Sequence, residues 1–258
     1  MKITLVHLFS DKMNIYGDWG NIEALLRRAK LRGIEVEYVG INKKEDFHLI
    51  QSGDLFFFGG GQDTDQMFVW KEIEKDIEHF KSSVLAMVDS HKVFLLICGG
   101  FQLFGKFFID AKGQSIPGIG ILDIETRALG KEVSTRCIGN IVIEHNLPHD
   151  IVPKTLVGFE NHGGQTYFTS TDNEYLKPLG KVIVGHGNNL VDGVEGCIYR
   201  NVFGSYMHGS LLPKNPHFAD YLIQLVLEQK YPGYRLNSLD SHLELLAHEH
   251  ILEKLGVT

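Results

Sequence analysis

The stretch VFLLICGGFQLFG places Cys98 where a hydrophobic run meets two glycines and a helical pattern begins. A strand, a sharp turn bearing the nucleophile and then a helix is the arrangement of a nucleophile elbow. Gly100, two residues after the thiol, lets such a turn close without a side-chain clash. The N–H groups at the start of the following helix would favour a thiolate. The competing reading is packing, since unpaired cysteine is among the most buried residue types; the adjoining glycines favour catalysis. A thiol nucleophile needs a base. Among 13 histidines, His208 in FGSYMHGSLLPKNP follows an apolar strand-like run and precedes a glycine, which puts it at a strand end as well. A lone histidine is more often structural. Here it follows the nucleophile in the order used by several α/β enzymes.

A third element is a place for developing negative charge. FFGGGQD ends a strand-like run in Gly59, Gly60 and Gly61, whose N–H groups can approach a ligand closely. A Walker loop would need a following Gly-Lys-Ser/Thr, which the chain lacks. GHGNN and GIGIL are partial dinucleotide patterns without their third glycine. The HEH triplet at His248–His250 could ligate a metal, but a solvated helix face is the expected reading, and no metal site is expected. Cys98, Cys137 and Cys197 are widely separated, which excludes a disulfide framework or a CxxC zinc site. Cys137 and Cys197 read as packing.

These groups need a scaffold. ITLVHLF, EVEYVGI, GDLFFFGGG and HKVFLLIC read as strands, and GNIEALLRRAKLRG as an amphipathic helix with a C-terminal glycine. DQMFVWKEIEKDIEHFKSSVLAMVDS reads as helical with a break near Ser82 and Ser83, and GFQLFGKFFI as the helix after Cys98. This alternation predicts an α/β protein with a mostly parallel central sheet flanked by helices. In such sheets ligands sit beyond the carboxyl ends of the strands, where both glycine loops fall. From about Gly118 short strands such as IGNIVIE, TLVGFENHGGQT and KVIVGHG predict an antiparallel extension of the same sheet. HFADYLIQLVLEQKY and SLDSHLELLAHEHILEKLG read as helices. No repeat or linker divides the chain, so one domain over residues 1–258 is expected, with 240–258 as a C-terminal helical extension. The net charge of −7 argues against nucleic acid. No apolar run is long enough for a signal peptide or a membrane span, and a reducing cytoplasm fits best.

Taken together, ICGGFQLFG, FFGGGQD, GFENHGG and GSYMHG…LPKN resemble class I glutamine amidotransferase domains of the cobyric acid synthase type, which have a flavodoxin-like fold. DKMNIYGDWGNI and GKVIVGHGNN are similar to the GatD-like glutaminase subunits of lipid II isoglutaminyl synthases. The resemblance runs to about Gln229. It implies that Cys98 attacks the side-chain amide of L-glutamine, that His208 moves the protons, and that Gly60 or Gly61 with Gly99 holds the oxyanion. Water would then hydrolyse the thioester. The ammonia would pass to a MurT-like Mur ligase subunit in a heterodimer, for amidation of D-glutamate in the lipid II stem peptide. Arg136, in TRCIGNIVIE, matches a family arginine for the glutamine α-carboxylate, where a guanidinium fork suits a bidentate contact. Gln102, Asn161 and His162 lie on loops at the same edge and are expected in the pocket. No cofactor is implied.

Two positions depart from the better-known pattern. Many class I amidotransferases carry a glutamate two residues after the histidine, where this chain has Ser210, and a glycine two residues before the nucleophile, where it has Leu96. Both departures match the cobyric-acid branch. A histidine without an orienting acid loses tautomer control. The expectation is therefore an acid supplied by the partner, with Asp192 and Glu195 as internal candidates. Asp18 in YGDWGN is expected to be a helix N-cap. Alternatives are an amidotransferase subunit with a corrinoid or other acceptor, a Cys98-dependent α/β hydrolase, and a non-enzymatic module.

Overall fold

The structure, a computed structural model, describes residues 1–128, 136–169, 174–209 and 211–257. The first half alternates strand and helix: β1 (Lys2–Leu8), α1 (Trp19–Leu31), β2 (Glu35–Ile41), a 3-10 segment at Lys44–Ser52, β3 (Leu55–Phe58), α2 (Asp63–Glu74), α3 (Ile77–Asp89), β4 (Val93–Ile97) and α4 (Gly99–Phe104). Short strands follow: β5 (Phe107–Ile109), β6 (Ser115–Pro117), β7 (Ile124–Ala128), β8 (Cys137–His145), β9 (Thr155–His162) and β10 (Gly164–Phe168). Next come β11 (Leu176–Lys177), β12 (Gly180–Val184), β13 (Val194–Glu195), β14 (Cys197–Tyr199), β15 (Val202–Ser205) and β16 (Met207–His208). Helices α5 (Leu211–Lys214), α6 (Pro216–Lys230) and α7 (His242–Leu255) follow.

The main sheet has the order β11-β14-β15-β4-β3-β1-β2. β2, β1, β3, β4 and β15 run parallel, and β14 and β11 add an antiparallel edge. A parallel sheet covered by helices on both faces needs strands without a polar side. LFFF and VFLLI meet that need, and every residue of β3 and β4 is buried. Phe56 and Phe94 stack across the pair at a centroid distance of 4.3 Å. In α1, Ile22, Leu25 and Ala29 recur at helical spacing and are buried, and in α6 Phe218, Leu222 and Val226 do the same.

The antiparallel extension takes a different form from the one expected. Among the described residues, β15, β14 and β11 are the short strands that join the main sheet, β15 parallel to β4; the others build a β10-β7-β5-β6 sheet and a β13-β12-β8-β9-β16 sheet. The chain passes from the first sheet to the third at Tyr206, between β15 and β16. Three further expectations are corrected. The break in the long helical run falls at Asp76, whose φ of −156° and ψ of 56° are non-helical, whereas Ser83 is buried within α3. The helix after Cys98 stops at Phe104, because Gly105 turns extended and Phe107–Ile109 pair as β5. His248 is not on a solvated face: it is 1% exposed and bonds Thr155 Oγ1, the Lys214 carbonyl and Asn215, which seats α7 on the body of the fold. No described helix is long and apolar enough to cross a membrane.

Candidate active site

The carboxyl ends of β1, β3, β4 and β15 converge on one edge and place the segments around Asp18, Gly59–Gly61, Cys98 and His208 there. Cys98 takes φ 49° and ψ −102°, a conformation that costs a non-glycine residue about 1–3 kcal/mol. Neighbouring backbone holds it: its N–H donates to the Ser205 carbonyl at 2.8 Å, and the Gly100 N–H to the Gly59 carbonyl at 3.1 Å. Gly100 is needed because a methyl group there would lie 2.4 Å from the Phe58 carbonyl oxygen. This is the turn the sequence implies, and it presents the thiol to a cleft of about 630 Å³.

His208 is fully buried in β16, with the ring of Tyr16 edge-on at 5.1 Å between centroids. Its Nδ1 lies 3.3 Å from Asp18 Oδ1, and its Nε2 has no hydrogen-bond partner. Burial alone would lower its pKa. The charge of the Cys98 sulfur and the bond to Asp18 outweigh that penalty and raise it to about 10. A protonated His208 beside the Cys98 sulfur is an acid placed next to the candidate nucleophile.

The acid on His208 stands within the chain. Asp18 sits at the N-cap position of α1 but makes no side-chain cap bond. Its carboxylate turns inward, fully buried, and Oδ2 accepts the Gly60 N–H at 2.7 Å. The expectation of a simple N-cap is corrected, because two buried donors compete for the carboxylate. Asp192 accepts from Asn189 and Val194. Glu195 accepts from Ser205 Oγ at 2.8 Å and from Tyr206 N–H at 2.6 Å, and its burial raises its pKa to about 7. Neither bonds His208; Glu195 instead braces Ser205 and Tyr206, the segment that leads into β16. Ser210 lies outside the described residues.

The remaining expected residues divide between floor and wall. Gly60 is set aside as an oxyanion donor, since its N–H already serves Asp18 and a methyl group there would meet His208 Cε1 at 2.4 Å. The N–H groups of Gly61 and Gly99 have no acceptor among the described residues, and Gly61 lines the cleft. Arg136, Asn161, His162 and Gln102 all line it as well. Arg136 Nη2 donates to Asn161 Oδ1 at 2.9 Å and remains exposed to the cleft. His162 stacks on Tyr206 at 3.7 Å. Gln102 accepts from Gln66 Nε2 at 2.9 Å and donates to the Tyr206 hydroxyl at 3.1 Å, so it joins the cleft wall to the His208 strand. Cys137 and Cys197 are buried, and Cys137 pairs with cleft-lining His162 across β8 and β9; burial pushes both thiols up.

Comparison with known proteins places the chain in a family. Residues 4–216 match the family described as CobB/CobQ-like glutamine amidotransferase domain. A lipid II isoglutaminyl synthase (glutamine-hydrolyzing) subunit GatD from Staphylococcus aureus (strain N315) is 38% identical over 253 residues, covering 98% of this chain and 96% of that protein. The GatD subunit of Streptococcus pneumoniae (strain ATCC BAA-255 / R6) is also 38% identical, covering 98% of this chain and 88% of that one. A solved glutamine amidotransferase from Thermotoga maritima superposes with a TM-score of 0.50 at 15% identity, over 98% of this chain and 92% of that one, which is a likeness of fold. The chain belongs to the CobB/CobQ-like glutamine amidotransferases.

Proposed function

We propose that the chain is the glutaminase subunit of a lipid II isoglutaminyl synthase. The observation that carries this reading is Cys98, on a strained elbow beside buried His208 and Asp18, in a chain similar along nearly its whole length to GatD subunits. The Cys98 thiolate attacks the δ-carbon of L-glutamine, and the carbonyl π-electrons move to oxygen, between the N–H groups of Gly61 and Gly99. The His208 imidazolium donates its Nε2 proton to the amide nitrogen as the C–N bond breaks, which releases ammonia and leaves a γ-glutamyl thioester. Neutral His208 then takes a proton from water as its oxygen attacks the thioester. Collapse expels the Cys98 thiolate, restores the imidazolium and releases glutamate. Asp18 holds the Nδ1 proton and so fixes the ring with Nε2 toward the sulfur. Arg136, steadied by Asn161, binds the substrate α-carboxylate.

In this reading the ammonia passes to a MurT-like ligase subunit in a cytoplasmic heterodimer, and the acceptor is the D-glutamate carboxyl of lipid II. The near-complete coverage of the GatD relatives supports this acceptor over a corrinoid one. The β2-β1-β3-β4 order supports a flavodoxin-like core, and the packing of α7 against α5 and β9 supports a single domain. The test is glutamate release and lipid II amidation by the chain with a MurT-like ligase, for wild type and Cys98→Ala. Release and amidation that both require Cys98 are expected. Release without lipid II amidation would refute the acceptor, and loss of neither in Cys98→Ala would refute the chemistry.

A further inference from the structure

The charges around the cleft are not all used by the steps above. Asp63, the first residue of α2, lines the cleft two residues beyond Gly61 and makes no hydrogen bond or ion pair among the described residues. The neighbouring acids are committed elsewhere. Asp65 Oδ2 accepts the Gln62 N–H at 3.0 Å, and Asp110 Oδ1 accepts the N–H groups of Lys112 and Gln114, each at 2.8 Å. Asp63 is exposed to the cleft and close enough to Asp110, Arg136 and Lys112 to feel all three charges; desolvation by the surrounding protein and Asp110 raise its pKa, against the pull of Arg136 and Lys112. One turn further along α2, Gln66 lines the same cleft. It is 2% exposed, its Nε2 is held by Gln102, and its Oε1 has no donor.

Besides the thiol, the cleft therefore offers an uncommitted carboxylate, an acceptor without a donor, and two cations. That layout matches a zwitterion: a ligand whose carboxylate meets the cations needs an ammonium for the carboxylate and for the spare acceptor. We propose that Asp63 is a positioning residue that binds the α-ammonium group of the substrate, opposite Arg136 on the α-carboxylate, and so selects a free α-amino acid over other carboxamides. The inference rests on the glutaminase reading and adds the group that recognises the amino end. A peptide-bound glutamine, or a primary amide without an α-amino group, leaves Asp63 unpaired.

The experiment compares glutamine with glutaramic acid, the same carboxamide without the amino group, using the chain together with its ligase partner. In Asp63→Asn, KM for glutamine is expected to rise about tenfold with kcat within about twofold, the size of a lost charge-assisted contact. The preference in kcat/KM for glutamine over glutaramic acid is expected to fall by the same factor, and Asp63→Glu to recover part of it. An unchanged preference in Asp63→Asn, with hydrolysis still dependent on Cys98, overturns the role of Asp63 and leaves the glutaminase reading standing. An equal loss on both substrates assigns Asp63 to the helix start and also overturns it. Wild-type chain that releases no Cys98-dependent glutamate overturns the glutaminase reading, and this inference with it.

Discussion

Replacing Asp18 with asparagine separates an acid inside the chain from one supplied by a partner. The carboxylate is fully buried and serves two donors, His208 Nδ1 at 3.3 Å and the Gly60 N–H at 2.7 Å. Asparagine keeps the volume but has one acceptor oxygen. If that oxygen keeps Gly60, its NH2 group faces His208 Nδ1 and holds the ring in the wrong tautomer, or leaves Nδ1 without an acceptor. A hydrogen bond to a charged group contributes about 1.5–3 kcal/mol, so kcat should fall between about 10- and 100-fold. KM should move little, because Asp18 does not line the cleft. The assay is steady-state glutamate release by the chain with a MurT-like ligase, with melting temperature followed to confirm an intact fold. A kcat within about twofold of wild type, in a folded variant, would show that Asp18 does not orient His208.

Three further outcomes follow from the same geometry. The raised pKa of His208 means that the folded chain holds a proton there that an unfolded chain gives up above about 6.5; this stabilisation is complete below that pH and is lost as pH rises through about 10. Cys98→Ala removes the sulfur's charge while burial remains, so the His208 pKa measured by NMR should drop by about one unit or more; a value still near 10 would contradict the ion pair. Gly100→Ala puts a methyl group 2.4 Å from the Phe58 carbonyl, which backbone cannot evade cheaply. It should cost about 2 kcal/mol, a fall of roughly 5 °C in Tm, and an unchanged melt would show that the elbow has slack.

How much of this is legible in the sequence depends on the range of the interaction. Cys98 and His208 stand out because each ends an apolar strand at glycine, a local pattern with a chemical consequence. The strand–helix alternation to β4 is equally local. Asp18 is hidden, because it lies 190 residues from His208 and occupies a position that an N-cap would also fill. Its true partners appear only when β1 and β16 are brought to the same edge. Gly60 and Gly61 look interchangeable in a run of three glycines, and only the Asp18 bond tells them apart. The division of the short strands into two additional sheets is not written in their period-2 pattern, which records which face is buried but not which strand is the neighbour. His248 looks solvated beside Glu249 and His250, yet it is the buried anchor of α7, a consequence of where that helix docks.

Whether Cys98 is the nucleophile for glutamine is decided by glutamate release from glutamine by the chain with a MurT-like ligase, wild type beside Cys98→Ala. Robust release by wild type and none above background in Cys98→Ala are expected. Equal release by both would contradict that role and leave Cys98 a packing residue.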